Sequence, residues 1–187
     1  MTTRLTTSAL AAALGLMSLA GPMACNSSNT TSTPTTLTRE QKAEQAKAAF
    51  LAADPGLKRF FDSAAGYVVF PSVGKGGFII TVAGGDGVMY NKAGNVLGYA
   101  SMSSVKAGAA VGGQGFKELI FLKEPADISR FQSGGVEFDA SASAVIAKSG
   151  ASASNDYRNG VAVFITGETG AMLDASIGGQ GFKFYPR

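Results

Sequence analysis

The sequence predicts a mainly β fold with short N-terminal helices, a β-rich α+β domain built on a curved antiparallel sheet or barrel with an internal pseudo-repeat. Three observations predict it. The six residues Gly-Gly-Gln-Gly-Phe-Lys occur twice, at Gly112 to Lys117 and at Gly178 to Lys183. The tracts before both copies alternate apolar with small or polar residues, so that Val105, Ala107, Ala109 and Val111 align with Ala171, Leu173, Ala175 and Ile177. That period of two belongs to a half-buried strand. Finally, the alternation changes phase at each Gly-Gly: odd positions are apolar up to Ile177, whereas Phe182 and Phe184 are even. A strand keeps its large side chains on one face across such a shift only by inserting an extra residue, and glycine suits that backbone best. Gly112, Gly113 and Gly115, with Gly178, Gly179 and Gly181, are therefore expected to shape two equivalent, sharply curved strands.

Residues 1–24 read as an export signal. Arg4 precedes an apolar run from Ala9 to Ala20 that is too short to span a bilayer as a helix. Ala24-Cys25 followed by Asn26-Ser27-Ser28 resembles a bacterial lipoprotein signal, in which the cysteine is lipidated and becomes the first mature residue; cleavage after Ala20 is the competing reading. Residues 25–37 form a Ser/Thr/Asn-rich tether with almost nothing apolar to bury. The expected location is a membrane-anchored lipoprotein facing the periplasm, with a soluble periplasmic or secreted form as the alternative. Residues 38–187 are expected to fold as a single domain, a length that supports a real core.

Thr38 to Ala53 reads as a helix, with Thr38 and Gln41 at capping-box spacing and Ala43, Ala46, Ala49, Phe50 and Ala53 on one face. Asp54-Pro55 starts a second short helix carrying Leu57, Phe60, Phe61 and Ala64. Short strands follow at Tyr67–Phe70, ended by Pro71, and at Phe78–Val82; Gly84-Gly85-Asp86-Gly87 then reads as a turn into Val88–Tyr90. The spacing of Gly77, Gly84 and Gly87 recurs at Gly160, Gly167 and Gly170. Asn91 to Asn95 is another turn, followed by strands at Val96–Ala100 and from Val105 into Glu118–Leu122. Pro125 to Gln132 is a short helix. Val136 to Ile146 alternates cleanly between a dry and a wet face, Ser149 to Arg158 is a polar loop, and the chain ends on the second repeat. About eight to ten strands result by this pattern.

The chain contains no histidine, which removes Ser-His-Asp and Cys-His catalysis and zinc sites of the Cys/His type. Gly74-Lys75-Gly76-Gly77 lacks the earlier glycine and the following Ser or Thr of a phosphate loop. Glu137 and Asp139 share one strand face, which reads as solvated surface rather than as a carboxylate pair. No cofactor and no enzymatic activity are expected. Removing the leader deletes Arg4 and no acid, so the formal charge falls from +3 to +2, too mild to imply a nucleic-acid partner. The lysines are more suggestive. Lys117 and Lys183 are equivalent by the repeat, Lys75 lies in a Gly-rich segment, and Lys58-Arg59 lies on the second helix. These five are the candidate lipid-binding residues: if the two bulges are neighbours, Lys117 and Lys183 present a small cationic patch for an anionic lipid headgroup; the competing reading is that each lysine solubilises the surface.

Ala65-Gly66-Tyr67-Val68-Val69-Phe70-Pro71-Ser72-Val73-Gly74-Lys75-Gly76-Gly77-Phe78 resembles the opening signature of the SYLF domain family, an apolar strand running into Phe-Pro, then Lys, then Gly-Phe. The similarity continues through Gly108 to Phe121, through Gly135 to Ser143, and from Asn159-Gly160-Val161 onward. Leu97-Gly98-Tyr99-Ala100 stands where eukaryotic members carry a tryptophan-containing segment. The resemblance implies a lipid-binding module. Eukaryotic members bind phosphoinositides and some bind actin, while bacterial members are commonly exported or lipidated. The partner so implied is membrane lipid. Small-residue sheets also invite close packing, so a scaffolding protein that contacts other envelope proteins or itself is the alternative.

Overall fold

The computed structural model describes residues 36–77, 80–107, 110–134, 145–167 and 179–187. Thr38 caps the first helix, α1 (Arg39–Ala53), by accepting a hydrogen bond from the Gln41 amide at 3.2 Å, and the Gln41 side chain accepts from the Thr38 amide at 2.8 Å. This reciprocal pair satisfies two of the otherwise unpartnered amides of the first turn. Asp54 ends α1, caps a 3-10 turn over Pro55–Leu57, and leads into α2 (Lys58–Ser63).

Four long strands follow: β1 (Gly66–Gly77), β2 (Ile80–Asn91), β3 (Val96–Ala107) and β4 (Ala110–Leu122). Helix α3 (Pro125–Gln132), the two-residue strand β5 (Val145–Ile146), a 3-10 turn over Ser152–Ser154, and strands β6 (Val161–Gly167) and β7 (Gln180–Pro186) complete the order. The seven strands form one sheet in the order β5-β6-β4-β1-β2-β3-β7. Every pairing is antiparallel except β5 with β6.

This order corrects the expected architecture. Among the described residues the ladder starts at β5 and stops at β7 without returning on itself, so the sheet is not closed into a barrel. The strands β1 to β4, of 12 or 13 residues each, are also longer than the pattern suggested. Pro71 does not end β1 but sits in a register shift between Val69 and Ser72, and Gly84-Gly85-Asp86-Gly87 is not a turn but the middle of β2. The physical reason is close approach. A side chain at Gly85 would collide with the carbonyl of Ser72, and one at Gly87 with the Phe70 ring. Glycine, a usual turn residue, here lets two strands lie together.

The first Gly-Gly lies in a second irregularity. Between the pairs Lys75–Gln114 and Gly77–Ala110, β4 carries two more residues than β1. β7 runs in unbroken register with β3 from Gln180 to Pro186. Gly178, Ala171–Ile177, the strand expected before Ile146 up to Ala144, and everything before Thr36, including Cys25, lie outside the described residues.

The proximal half of the sheet is buried on both faces. Tyr67, Val68, Val69 and Phe70 are all 3 % exposed or less, as are Leu119 to Leu122. Such near-continuous apolar runs mark strands covered on both sides. On the α1 face, Tyr67, Val69, Tyr90, Leu119, Phe121 and Phe164 pack against Phe50 of α1 and Phe60 of α2. On the α3 face, Phe70, Met89, Met102, Phe116, Ile120 and Phe182 gather with Phe131 of α3. A helix of 15 residues spans only about 22 Å, whereas strands of 12 residues reach about 40 Å. α1 therefore leaves the distal half of its face uncovered. Val82 and Val105, direct partners across β2 and β3, are 54 % and 63 % exposed there.

Asp54 ties the polar loop to the helices. Buried Asp54 accepts from the Gly56 amide at 3.0 Å with one oxygen and from the Ser152 amide at 2.6 Å with the other. Burial raises the Asp54 carboxyl, but these hydrogen bonds outweigh it and hold the group below its ordinary value. Asp54→Ala is expected to destabilise the protein by about 1–3 kcal/mol, because two amides lose their acceptor. Denaturant unfolding of both proteins checks this. The carboxylate's contribution is present above the unfolded-state value and is lost as pH falls through the lower folded-state value, so the difference between wild type and variant should shrink in acid.

Candidate functional site

An open cavity of about 530 Å³ lies beside α1 and α2. Its apolar part is made by Leu51, Pro55, Phe61 and the Tyr67 ring, and its rim carries Lys47, Lys58 and Lys92 with one acid, Asp62. Each element is placed by a local rule. Phe61 stands edge-on to Tyr67 at 5.0 Å between ring centres, and Tyr67 stacks on Tyr90 at 5.1 Å. Lys92 sits in the turn between β2 and β3, which is fastened by its own amide donating to the Ala65 carbonyl at 2.9 Å. Gly94 completes that turn at φ +81, a left-handed conformation that favours glycine.

Lys47 is the most constrained of the three lysines. Its ammonium lies 5.6 Å from the Phe61 ring centre and 5.5 Å from that of Tyr67, and it donates to the Tyr67 hydroxyl at 3.3 Å. Burial lowers this ammonium, yet Tyr67 and Glu44 outweigh the burial and leave it raised. It stays charged at neutral pH. Lys58 and Asp62 form an i,i+4 ion pair at 2.7 Å on α2. Lys47 is likewise paired with Glu44 of α1 at 3.5 Å, so the excess positive charge at the cavity comes from Lys92. Three ammoniums around an aromatic and aliphatic wall suit an anionic group attached to an apolar body.

The five cationic residues expected from sequence do not converge. Lys117 on β4 and Lys183 on β7 do share the α1 face, by register with β1 and β3. Three strands, β1, β2 and β3, stand between them in the sheet order, however. Lys75 pairs with Ala83 and belongs to the α3 face. Arg59 is committed elsewhere: it donates to the carbonyls of Ser152, at 2.6 Å, and Asn155, and lies over the Phe60 ring. Only Lys58 lines the cavity. Gly115 pairs with Gly74, and Gly181 with Ser103, on the α1 face, while a Cβ added at Gly179 would meet nothing within 4 Å among the described residues.

Lys47, Lys92 and Tyr67 were not singled out from the sequence. Lys47 occupies one position in an alanine-rich helix, and Lys92 one position in a turn; nothing local indicates that they meet. Among the described residues, no group of three or more metal-ligating side chains occurs, and no helix is long and apolar enough to cross a membrane.

No model of a known protein family matches the chain. The chain is similar to beta cell expansion factor A of Aeromonas veronii, with 31% identity over 126 residues, which is 67% of this chain and 48% of the relative. It thus spans about half the length of the curated relative that it matches.

Beneath the cavity wall, the Tyr90 hydroxyl is buried without a hydrogen-bond partner among the described residues, and burial raises the phenol above its ordinary value. Tyr90→Phe is expected to leave stability unchanged or to raise it by up to about 1 kcal/mol, since an unpaired buried hydroxyl disappears while the ring stack remains. Thermal and denaturant unfolding measure it.

Proposed function

We propose that this chain is a non-enzymatic lipid-binding module of the SYLF type, carried by an exported lipoprotein anchored at Cys25, and that it seats an anionic headgroup at the cavity between α1, α2 and the β2–β3 turn. The observation that carries the reading is the convergence of Lys47, Lys58 and Lys92 on a wall built from Phe61, Tyr67 and Leu51. Phosphate or carboxylate oxygens meet the ammoniums, and the neighbouring apolar stem meets the rings. Resident lysines near an anionic surface contribute about 1 kcal/mol each. Binding of this kind is moderate in strength and weakens with salt.

The test is flotation with phosphatidylcholine vesicles, with and without phosphatidylglycerol. Binding is expected only to the anionic vesicles and is expected to fall with added salt. Lys92→Ala and Lys47→Met should each weaken it about fivefold, the equivalent of roughly 1 kcal/mol, while the Lys117→Ala, Lys183→Ala double variant should bind as wild type. Equal binding to neutral vesicles, or loss only in the double variant, would remove the cavity as the site.

A second reading has its own support. The exposed Val82–Val105 pair on the uncovered distal sheet face suits contact with another envelope protein or a second copy. Crosslinking in cells that yields only monomer would discard it.

A further inference from the structure

Glu118 is a carboxyl in an apolar layer. It lies on the α3 face of β4, fully buried, opposite Phe70 of β1 and Ile165 of β6. Its Oε2 accepts a hydrogen bond at 3.1 Å from the amide of Gln180, itself 2 % exposed. Its Oε1 has no partner among the described residues. Gln180 is the first residue of β7, and three strands stand between β7 and β4 in the sheet. The bond is thus a direct tie from the C-terminal strand to the middle of the sheet, and it lies beside Phe182, which packs on Phe70 and Phe131.

We propose that Glu118 and Gln180 form an acid-locked latch: the protonated carboxyl holds β7 over the α3 face, and its ionisation loosens that strand from the sheet. An ionised carboxylate there keeps one donor and leaves an oxygen unpaired in an apolar layer, and breaking the contact lets it reach water. The charged residues sharing this face offer no local compensation. Lys75 of β1 lies toward its distal end. Asp127 and Arg130 of α3 pair with each other at 3.0 Å. The described residues of β2, β6 and β7 on this face include no ionisable side chain. Consistently, burial pushes the Glu118 carboxyl up to about 7, against the opposing pull of the Gln180 amide.

The sign follows from the two states. With a value near 7 when closed and an ordinary carboxyl value when open, the latch is at full strength below the ordinary value. It weakens as pH rises towards about 7 and changes little above that. The inference does not depend on the lipid reading.

Amide hydrogen exchange on the full chain, expressed as protection relative to the intrinsic rate at each pH, tests it. In wild type, protection of Phe182 to Tyr185 is expected to fall by up to about tenfold per pH unit between about 5 and 7 and then level off, while Val68 to Phe70 remain better protected. Glu118→Gln keeps a hydrogen-bonding group and should abolish the slope. Gln180→Leu should extend the slope to higher pH, because the amide that favours the carboxylate is gone. The latch is overturned by a flat wild-type profile, by a slope that survives in Glu118→Gln, by an unmoved range in Gln180→Leu, or by loss of protection in β7 and β1 together, which is global unfolding.

Discussion

Burial of the proximal sheet on both faces is the constraint on which the rest depends. Tyr67, Val68, Val69 and Phe70 alternate between two layers that are both dry, so β1 needs cover from two directions. α1 and α2 provide it on one side, α3 on the other. Each fully buried apolar side chain contributes about 1.5–3 kcal/mol relative to exposure, which makes this half of the molecule its stable part. The aromatic side chains there also make a connected set. Phe60, Phe61, Tyr67, Phe121 and Phe164 contact one another at ring separations of 4.8 to 6.3 Å.

The cavity is a by-product of that packing. α1 meets the sheet mainly through the small side chains Ala43 and Ala46 and through Phe50, and it is pinned by polar contacts near its start and at its middle. Glu40 accepts from the Tyr99 hydroxyl at 2.5 Å, and Lys47 donates to Tyr67. The Tyr99 hydrogen bond lowers the Glu40 carboxyl and raises the phenol. Where α1 gives way to α2, Leu51 and Pro55 leave room beside Phe61, and the β2–β3 turn closes the far side. Rigid elements thus hold three ammoniums around one apolar recess. The lipid reading rests on that geometry together with the resemblance of the Ala65–Phe78 segment, and the similarity to a longer curated relative adds no ligand to it.

The distal half of the sheet follows a different rule. Small residues dominate, and a side chain added at Gly74 or Gly76 would meet nothing within 4 Å. Those glycines answer no steric demand from the described residues. Gly85, Gly87 and Gly98 do, because neighbouring backbone or rings occupy the place of a Cβ. Glycine therefore has two meanings in this chain, and spacing in the sequence does not separate them.

Much of the local structure was legible. Thr38 and Gln41 form the expected capping box, Pro125 opens α3, and Asn91–Asn95 is a turn. Each of these is decided within four residues, by hydrogen bonds or fixed dihedrals that the side chains themselves supply. The absence of histidine was likewise final from the sequence, whereas the alternating tract expected as one strand from Val105 is divided, Val105 and Ala107 ending β3 and Val111 lying in β4. The extent and order of the strands were not legible, because Pro71 and the glycines of β2 have turn-like chemistry that only long-range pairing overrides. Nor was the site. Lys117 and Lys183 are twins in sequence yet stand three strands apart, while Lys47, Lys58 and Lys92 have no common signature and line one recess. Sequence fixes what each segment can do with its near neighbours. Which distant side chains meet is decided by strand order and by which face each helix covers, and those depend on contacts between residues far apart along the chain.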